Sequence, residues 1–161
     1  MKYVGIKNCK CKSRAVNGDV GKIVEVQVSC LIAPDCDRHF EVLELFDQGI
    51  TDVSEMMHTS YYKFNKKNKK SRRDISKKVQ RFLRLYNSIK SKGYDYNKGC
   101  IVVSADGARL DGSHRAAILE HLGHTNIRVR LIKWKQCCSK TEIAEIKEHL
   151  LEQRKLYKME T

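Results

Sequence analysis

Leu110-Asp111-Gly112-Ser113-His114-Arg115 marks the point in the sequence where a strand pattern gives way to a helix pattern. After it, residues 116–122 read as two helical turns that end at Gly123, a typical C-terminal cap. The first amides of a helix lack internal partners and carry the positive end of its dipole. The hexapeptide therefore predicts an anion site at a helix start, with His114 and Arg115 as additional donors.

Two strands are predicted just before this hexapeptide. Ile101-Val102-Val103-Ser104 and Arg109-Leu110 flank Asp106-Gly107, a dipeptide that readily adopts the positive φ values of a tight turn. This pattern favours a β-hairpin leading into the helix.

Length and composition indicate one globular domain over residues 1–161. The chain has 161 residues, of which 41% are apolar, and that is enough to bury a core. No apolar run approaches the roughly 20 residues that span a bilayer, and residues 1–7 lack the apolar stretch of a secretory signal. We expect a cytoplasmic protein without a membrane partner; its oligomeric state stays open.

Seven cysteines are present, but their spacing matches no paired zinc-binding pattern. We interpret them chiefly as reduced thiols and predict no metal site. A zinc site built from Cys9, Cys11, Cys30 and Cys36 is the main alternative, and redox chemistry is a second.

The formal net charge of +13 is concentrated in one run, from Lys63 to Arg84, with Asp74 as its only acid. Such a run fits a polyanionic backbone or a phosphorylated ligand. A solvated helix face beside a basic loop is the alternative interpretation. The residues predicted to contact nucleic acid are Lys66, Lys67, Lys69, Lys70, Arg72 and Arg73.

Periodicity outlines the elements of the first half of the chain. Residues 21–28 alternate with Val24, Val26 and Val28 on one face, which predicts a half-buried strand at the start or edge of a sheet. Residues 40–46 predict a short helix. Residues 48–70 show little periodicity and are predicted to be a basic, mobile segment.

The second half predicts two further helices and two strands. Ser71 and Asp74 resemble a capping box that opens a long amphipathic helix ending at Gly93. Strands are expected at 100–104 and 126–132, and a terminal helix at 139–158. The fold class is therefore α/β (α+β), a small mixed sheet flanked by helices, with its core over about residues 20–133.

The order of these motifs from about residue 71 to 133 resembles the ParB N-terminal/sulfiredoxin superfamily. The resemblance is carried by residues 82–93, by Ile101-Val102-Val103, by Asp111-Gly112-Ser113-His114-Arg115 and by residues 127–132. It implies that Gly112, Ser113, His114 and Arg115 grip the phosphates of a nucleotide.

Members of this superfamily differ in the chemistry of the loop. Sulfiredoxins have a cysteine where this chain has Ser113, and serine is a far weaker nucleophile at neutral pH. DNA-partitioning members have Gly-Glu-Arg-Arg and continue into helix-turn-helix regions that this chain does not match. The Asp-Gly-x-His-Arg form is most similar to the branch of kinases that act on free serine.

The resemblance thus implies a nucleotide-binding protein that transfers phosphate from ATP or ADP, with Mg²⁺, to a small hydroxylated metabolite. Asp111 and Glu41 are the candidate catalytic carboxylates, although their geometry cannot be derived from spacing. Asp111 could instead form the turn and cap the helix, and His114 could be a core or capping histidine. A ParB-like DNA-binding module, with or without nuclease activity, is the alternative function, and a silent nucleotide sensor is a third.

Overall fold

A computed structural model describes residues 21–31, 37–68, 70–104 and 109–132 of the chain. In this part of the chain, four β-strands and four α-helices follow one another in the order β1 (Lys22–Gln27), α1 (Asp37–Asp47), α2 (Ser60–Lys67), α3 (Arg72–Lys92), β2 (Val102–Ser104), β3 (Arg109–Asp111), α4 (Ser113–His121) and β4 (Asn126–Ile132). Short 3-10 helices lie at Val28–Leu31 and Tyr96–Lys98. The predicted α/β class with a small mixed sheet is confirmed.

The chain divides into two compact units. The sheet unit comprises residues 1–34, 95–112 and 126–161, and the helical unit comprises residues 35–94 and 113–125. The single domain over residues 1–161 stays a prediction.

The four strands of the sheet unit lie in the order β1-β4-β2-β3. β1 pairs antiparallel with β4, β4 pairs parallel with β2, and β2 pairs antiparallel with β3. β1 is therefore an edge strand, as the sequence predicts. Its valines Val24 and Val26 are half-buried while Glu25 and Gln27 are exposed, which confirms the predicted alternation.

The predicted hairpin is present as the antiparallel pair of β2 and β3, with a register shift between Val102 and Val103. Its turn, Asp106-Gly107, lies outside the described residues. Arg109 Nη1 donates to the Leu31 carbonyl oxygen over 2.9 Å and so ties β3 to the 3-10 turn that follows β1. Buried side chains of this unit are Val28, Leu31, Cys100, Ile101, Val102, Val103, Ile127, Val129 and Ile132.

The long helix α3 begins and ends as the sequence predicts. The Ser71 side chain accepts from the Asp74 amide and the Asp74 carboxylate accepts from the Ser71 amide, so the capping box is complete. Hydrogen bonding by Ser71 lowers the pKa of Asp74. Gly93 caps the C-terminus, and the helix buries an apolar stripe of Ile75, Val79, Phe82, Tyr86 and Ile89.

The segment 48–70 contains a helix that the sequence does not predict. α2 begins after Thr59, whose side chain accepts from the Tyr62 amide as an N-cap, and it buries Tyr61 and Asn65. Val53 and Met56 ahead of it are also buried. The prediction of a mobile segment without a helix is therefore wrong for residues 60–67. A short helix that buries only two side chains, one of them polar, shows no apolar periodicity in its sequence.

Candidate functional site

The chain passes from β3 into α4 at Gly112, at the position where the sequence predicts the transition. Asp111 ends β3 and pairs with Val102, and Ser113 begins α4. Gly112 has φ +90°, and a Cβ at this position would lie 2.9 Å from Ile101 Cγ1 and 3.0 Å from Ile101 Cα. Glycine is required here both by the backbone angle and by the close approach of Ile101.

The first turn of α4 brings together three of the predicted phosphate ligands. Ser113, His114 and Arg115 are the first residues of the helix and are half-buried. Helix geometry leaves their amides without intrahelical acceptors, and no acidic residue occupies this turn. Ser113, His114 and Arg115 thus belong to the turn that carries the positive end of the helix dipole.

His114 makes a hydrogen bond that joins α4 to α2. Its Nε2 atom lies 3.0 Å from the Tyr61 hydroxyl. Tyr61 is 2% exposed, and burial raises its pKa to about 12, so its hydroxyl keeps its proton at neutral pH. The pair therefore fixes the orientation of the His114 imidazole.

Aromatic packing holds the same imidazole from other directions. The ring centroids of Phe82 and His39 lie 4.5 Å and 4.6 Å from that of His114, and both contacts are edge-on. His39 is itself buried, and its ring also contacts Tyr61 at 5.4 Å. Edge-to-face contacts of this kind stabilise one ring arrangement over others. We call Tyr61, His39, Phe82 and His114 the aromatic cluster.

Tyr61 is positioned by polar contacts within the helical unit. The Asn65 side chain donates to the Tyr61 carbonyl oxygen over 2.8 Å, and Lys78 Nζ of α3 donates to Asn65 Oδ1 over 2.9 Å. At the start of α2, Thr59 supplies the N-cap. These bonds lock α2 in the orientation that presents the Tyr61 hydroxyl to His114.

Glu41 of α1 also contacts the start of α2. Its Oε2 accepts from the Ser60 amide over 2.7 Å, so this half-buried carboxylate neutralises the positive end of the α2 dipole. Asp111, the other predicted catalytic carboxylate, belongs to the sheet unit and is half-buried at the end of β3. The catalytic role of either residue stays a prediction.

A second polar cluster surrounds Asp47 at the end of α1. Oδ1 of Asp47 accepts from the Tyr86 hydroxyl and from Lys90 Nζ, while Oδ2 lies 2.6 Å from His121 Nε2. Hydrogen bonds from Lys90, Tyr86 and His121 hold the pKa of Asp47 well below its usual range. The hydrogen bond to Asp47 in turn raises the pKa of Lys90. This cluster joins α1, α3 and the C-terminal end of α4.

The residues predicted to bind nucleic acid are divided between two helices. Lys66 and Lys67 are exposed in the last turn of α2, and Arg72 and Arg73 are exposed in the first turn of α3. Lys70, between the helices, is half-buried, and Lys69 lies outside the described residues.

The described part of the chain contains no group of three His, Cys, Asp or Glu side chains that could hold a metal ion. None of its helices is long and apolar enough to cross a membrane. Cys100 is a buried free thiol. The side chains of Cys9, Cys11, Cys30 and Cys36, the alternative zinc ligands, and the terminal helix predicted at 139–158 lie outside the described residues.

Comparison with known proteins gives no relative: no family model, no curated protein and no solved structure matches this chain. The residues that complete the candidate site were missed by sequence reasoning. Tyr61 and His39 belong to no motif of the sequence, and Phe82 fits the apolar pattern of the long helix that opens at Ser71. The only signal in the sequence was Thr59 as an N-cap, which would have revealed α2.

Proposed function

We propose that the start of α4 binds a nucleoside phosphate through the amides of residues 113–115 and the side chains of Ser113, His114 and Arg115. The observation that carries this proposal is the 3.0 Å bond between Tyr61 and His114, because it holds the imidazole beside amides that have no helical acceptor. A preoriented donor loses less entropy on binding than a mobile one.

Each group has a distinct role in this proposal. The amides and the Ser113 hydroxyl donate to phosphate oxygens, as at other helix starts that bind anions. The Arg115 guanidinium donates two parallel hydrogen bonds to the oxygens of one phosphate, a bidentate contact. The His114 imidazole adds a further donor whose direction is set by the aromatic cluster. The resemblance of residues 71–133 to the ParB/sulfiredoxin superfamily supports the same assignment from sequence.

We infer that the protein transfers a phosphoryl group from ATP or ADP to a small hydroxylated metabolite. The bond between the terminal phosphorus and its bridging oxygen breaks, a bond from the acceptor hydroxyl oxygen to phosphorus forms, and the hydroxyl proton passes to a carboxylate. Glu41 or Asp111 would take that proton. Mg²⁺ would be held by the phosphates of the nucleotide and would neutralise their charge.

The experiment that tests binding is calorimetric titration of the chain with Mg²⁺–ATP, Mg²⁺–ADP and Mg²⁺–CTP. We expect a micromolar to millimolar affinity for an adenine nucleotide, which His114→Ala abolishes or weakens at least tenfold. His124→Ala is the matched control, because His124 is an exposed histidine just beyond the same helix. Equal binding by the two variants would refute the site.

The reaction is tested separately by following ADP or AMP release in the presence of hydroxylated metabolites. Turnover that Glu41→Gln or Asp111→Asn abolishes, with nucleotide affinity retained, would support phosphoryl transfer. Binding without turnover would refute the transfer and leave a nucleotide sensor. The DNA-partitioning members of the superfamily bind a cytidine nucleotide, so a preference for CTP would instead favour a likeness to that branch.

A further inference from the structure

Four basic residues of α3 form one exposed stripe. Arg73, Lys77, Arg81 and Arg84 are spaced by four, four and three residues, which puts them on one side of a helix, and all four are exposed. The buried residues of α3 lie on the opposite side. The basic run predicted from Lys63 to Arg84 contains all four residues, but Arg73 alone of them is among the predicted contacts to nucleic acid.

The positive charge of this stripe is compensated only in small part within the described residues. Asp74 is the only acid of α3, and it is engaged in the capping box with Ser71. Two other cations of the helix do have partners, since Lys78 bonds to Asn65 and Lys90 to Asp47. The Asp74 carboxylate also interacts with Lys77, but no salt bridge among the described residues involves Arg73, Lys77, Arg81 or Arg84.

The arrangement is unfavourable for the helix itself. Arg73 and Lys77, and likewise Lys77 and Arg81, are like-charge pairs four residues apart, which destabilise a helix. Arg73 also lies in the first turn, next to the positive end of the helix dipole. A stripe that is costly to the fold and makes no salt bridge within the described residues is better explained by an external polyanion than by solvation.

We propose that this stripe binds the phosphate backbone of a nucleic acid. From Arg73 to Arg84 the helix rises roughly 16 Å, and a strand of duplex DNA carries one phosphate per roughly 3.4 Å, so the stripe faces about five phosphates. Three of its four cations are arginines, whose planar forks match phosphate oxygens. The contact is with the backbone, and it therefore predicts little sequence preference.

An anionic membrane fits the stripe less well. A helix that lies on a bilayer inserts its apolar face between the lipids, but the apolar face of α3 is buried by the helical unit. The exposed large apolar side chains in the described part of the chain are Ile23, Met57 and Phe64, and none of them belongs to α3. The stripe thus offers charge without an insertable apolar surface.

The test is fluorescence anisotropy of a labelled 20-base-pair duplex, titrated with the full chain between 50 and 300 mM salt. The stripe variant combines Arg73→Gln, Lys77→Gln and Arg81→Gln. The matched control combines Lys22→Gln, Lys98→Gln and Arg128→Gln, which removes the same charge from exposed residues of the sheet unit. Circular dichroism confirms that each variant is folded.

We expect the native chain and the control to bind with a steep salt dependence. The slope of log K against log salt should flatten by about 0.9 for each stripe cation removed that contacts a phosphate. Equal weakening of both variants would show that net charge alone is responsible and would overturn the proposal. The proposal would also be overturned if the chain did not bind the duplex at 50 mM salt. The same holds if the chain sedimented with phosphatidylserine vesicles but did not bind the duplex. Nucleotide titration of the stripe variant tests the α4 site independently.

Discussion

The Tyr61 hydroxyl and His114 Nε2 lie 3.0 Å apart, although 53 positions separate the two residues in sequence. This bond joins α2 to the first turn of α4 and is reinforced by the edge-on contacts of Phe82 and His39 with the same imidazole. It makes His114 a directed donor within the predicted phosphate loop. The function proposed for α4 depends on this relationship.

Removal of the Tyr61 hydroxyl should weaken nucleotide binding without unfolding the chain. Tyr61→Phe keeps the buried ring but leaves Nε2 without this partner, and a neutral hydrogen bond contributes about 1 kcal/mol, or roughly a fivefold change in affinity. Calorimetric titration with Mg²⁺–ATP measures the change. Tyr62→Phe is the control, because Tyr62 is half-buried and its hydroxyl has no hydrogen-bond partner among the described residues. A larger loss in Tyr62→Phe would contradict the role of Tyr61.

Gly112→Ala should destabilise the chain more than Gly123→Ala does. Both glycines have a positive φ, +90° and +79° respectively, so both substitutions carry backbone strain. Only at Gly112 does the added Cβ collide with a neighbour, the backbone and side chain of Ile101, whereas nothing lies within 4 Å at Gly123. Urea unfolding should show an extra loss of about 2 kcal/mol at Gly112. Equal losses would mean that the loop relaxes away from Ile101.

Asp47→Asn should lower stability at neutral pH and have little effect in acid. Because hydrogen bonds from Lys90, Tyr86 and His121 depress the pKa of Asp47 in the folded state, its contribution is present above the unfolded pKa of about 3.9. The contribution is lost as the pH falls through the lower pKa of the folded state. With Asp47 partly exposed, solvent screening limits the effect at pH 7 to about 1 kcal/mol.

Urea unfolding at pH 7, 5 and 3 measures this dependence. Glu44→Gln is the control, because Glu44 is exposed on the same helix and its side chain has no partner among the described residues. A destabilisation by Asp47→Asn that is as large at pH 3 as at pH 7 would show that packing, rather than charge, is lost.

The stripe variant with Arg73→Gln, Lys77→Gln and Arg81→Gln should be more stable than the native chain. The substitutions remove two like-charge pairs and a cation beside the positive helix end, which together are worth about 1 kcal/mol at low salt. Thermal unfolding should therefore show a higher Tm, and the gain should shrink as salt screens the charges. A lower Tm would indicate that the three cations have stabilising partners after all.

Most of the fold follows from local patterns. The Ser71 and Asp74 capping box, the alternation of Val24 and Val26 and the positive φ at Gly123 are each properties of a few neighbouring residues, so the sequence contains them directly. α2 was missed because only Tyr61 and Asn65 of this helix are buried, and Asn65 reads as a surface residue.

The part of the candidate site that depends on neighbouring residues could be predicted from the sequence, and the part that depends on contacts between helices could not. The turn at Gly112 and the start of α4 depend on a few neighbouring residues, and the structure confirms the predicted strand-to-helix transition there. The bonds from Tyr61 to His114 and from Glu41 to Ser60 connect different helices, and no spacing rule links such residues. Tertiary packing alone decides which side chains complete the loop.

The most direct measurement is an NMR titration of the ¹⁵N-labelled chain with Mg²⁺–ATP, in which the amide signal of each residue reports its own surroundings. We expect the largest saturable shifts at the amides of Ser113, His114 and Arg115, with smaller shifts at Tyr61. Shifts that are absent from residues 113–115, or that are confined to other parts of the chain, would contradict the claim that α4 binds a nucleoside phosphate.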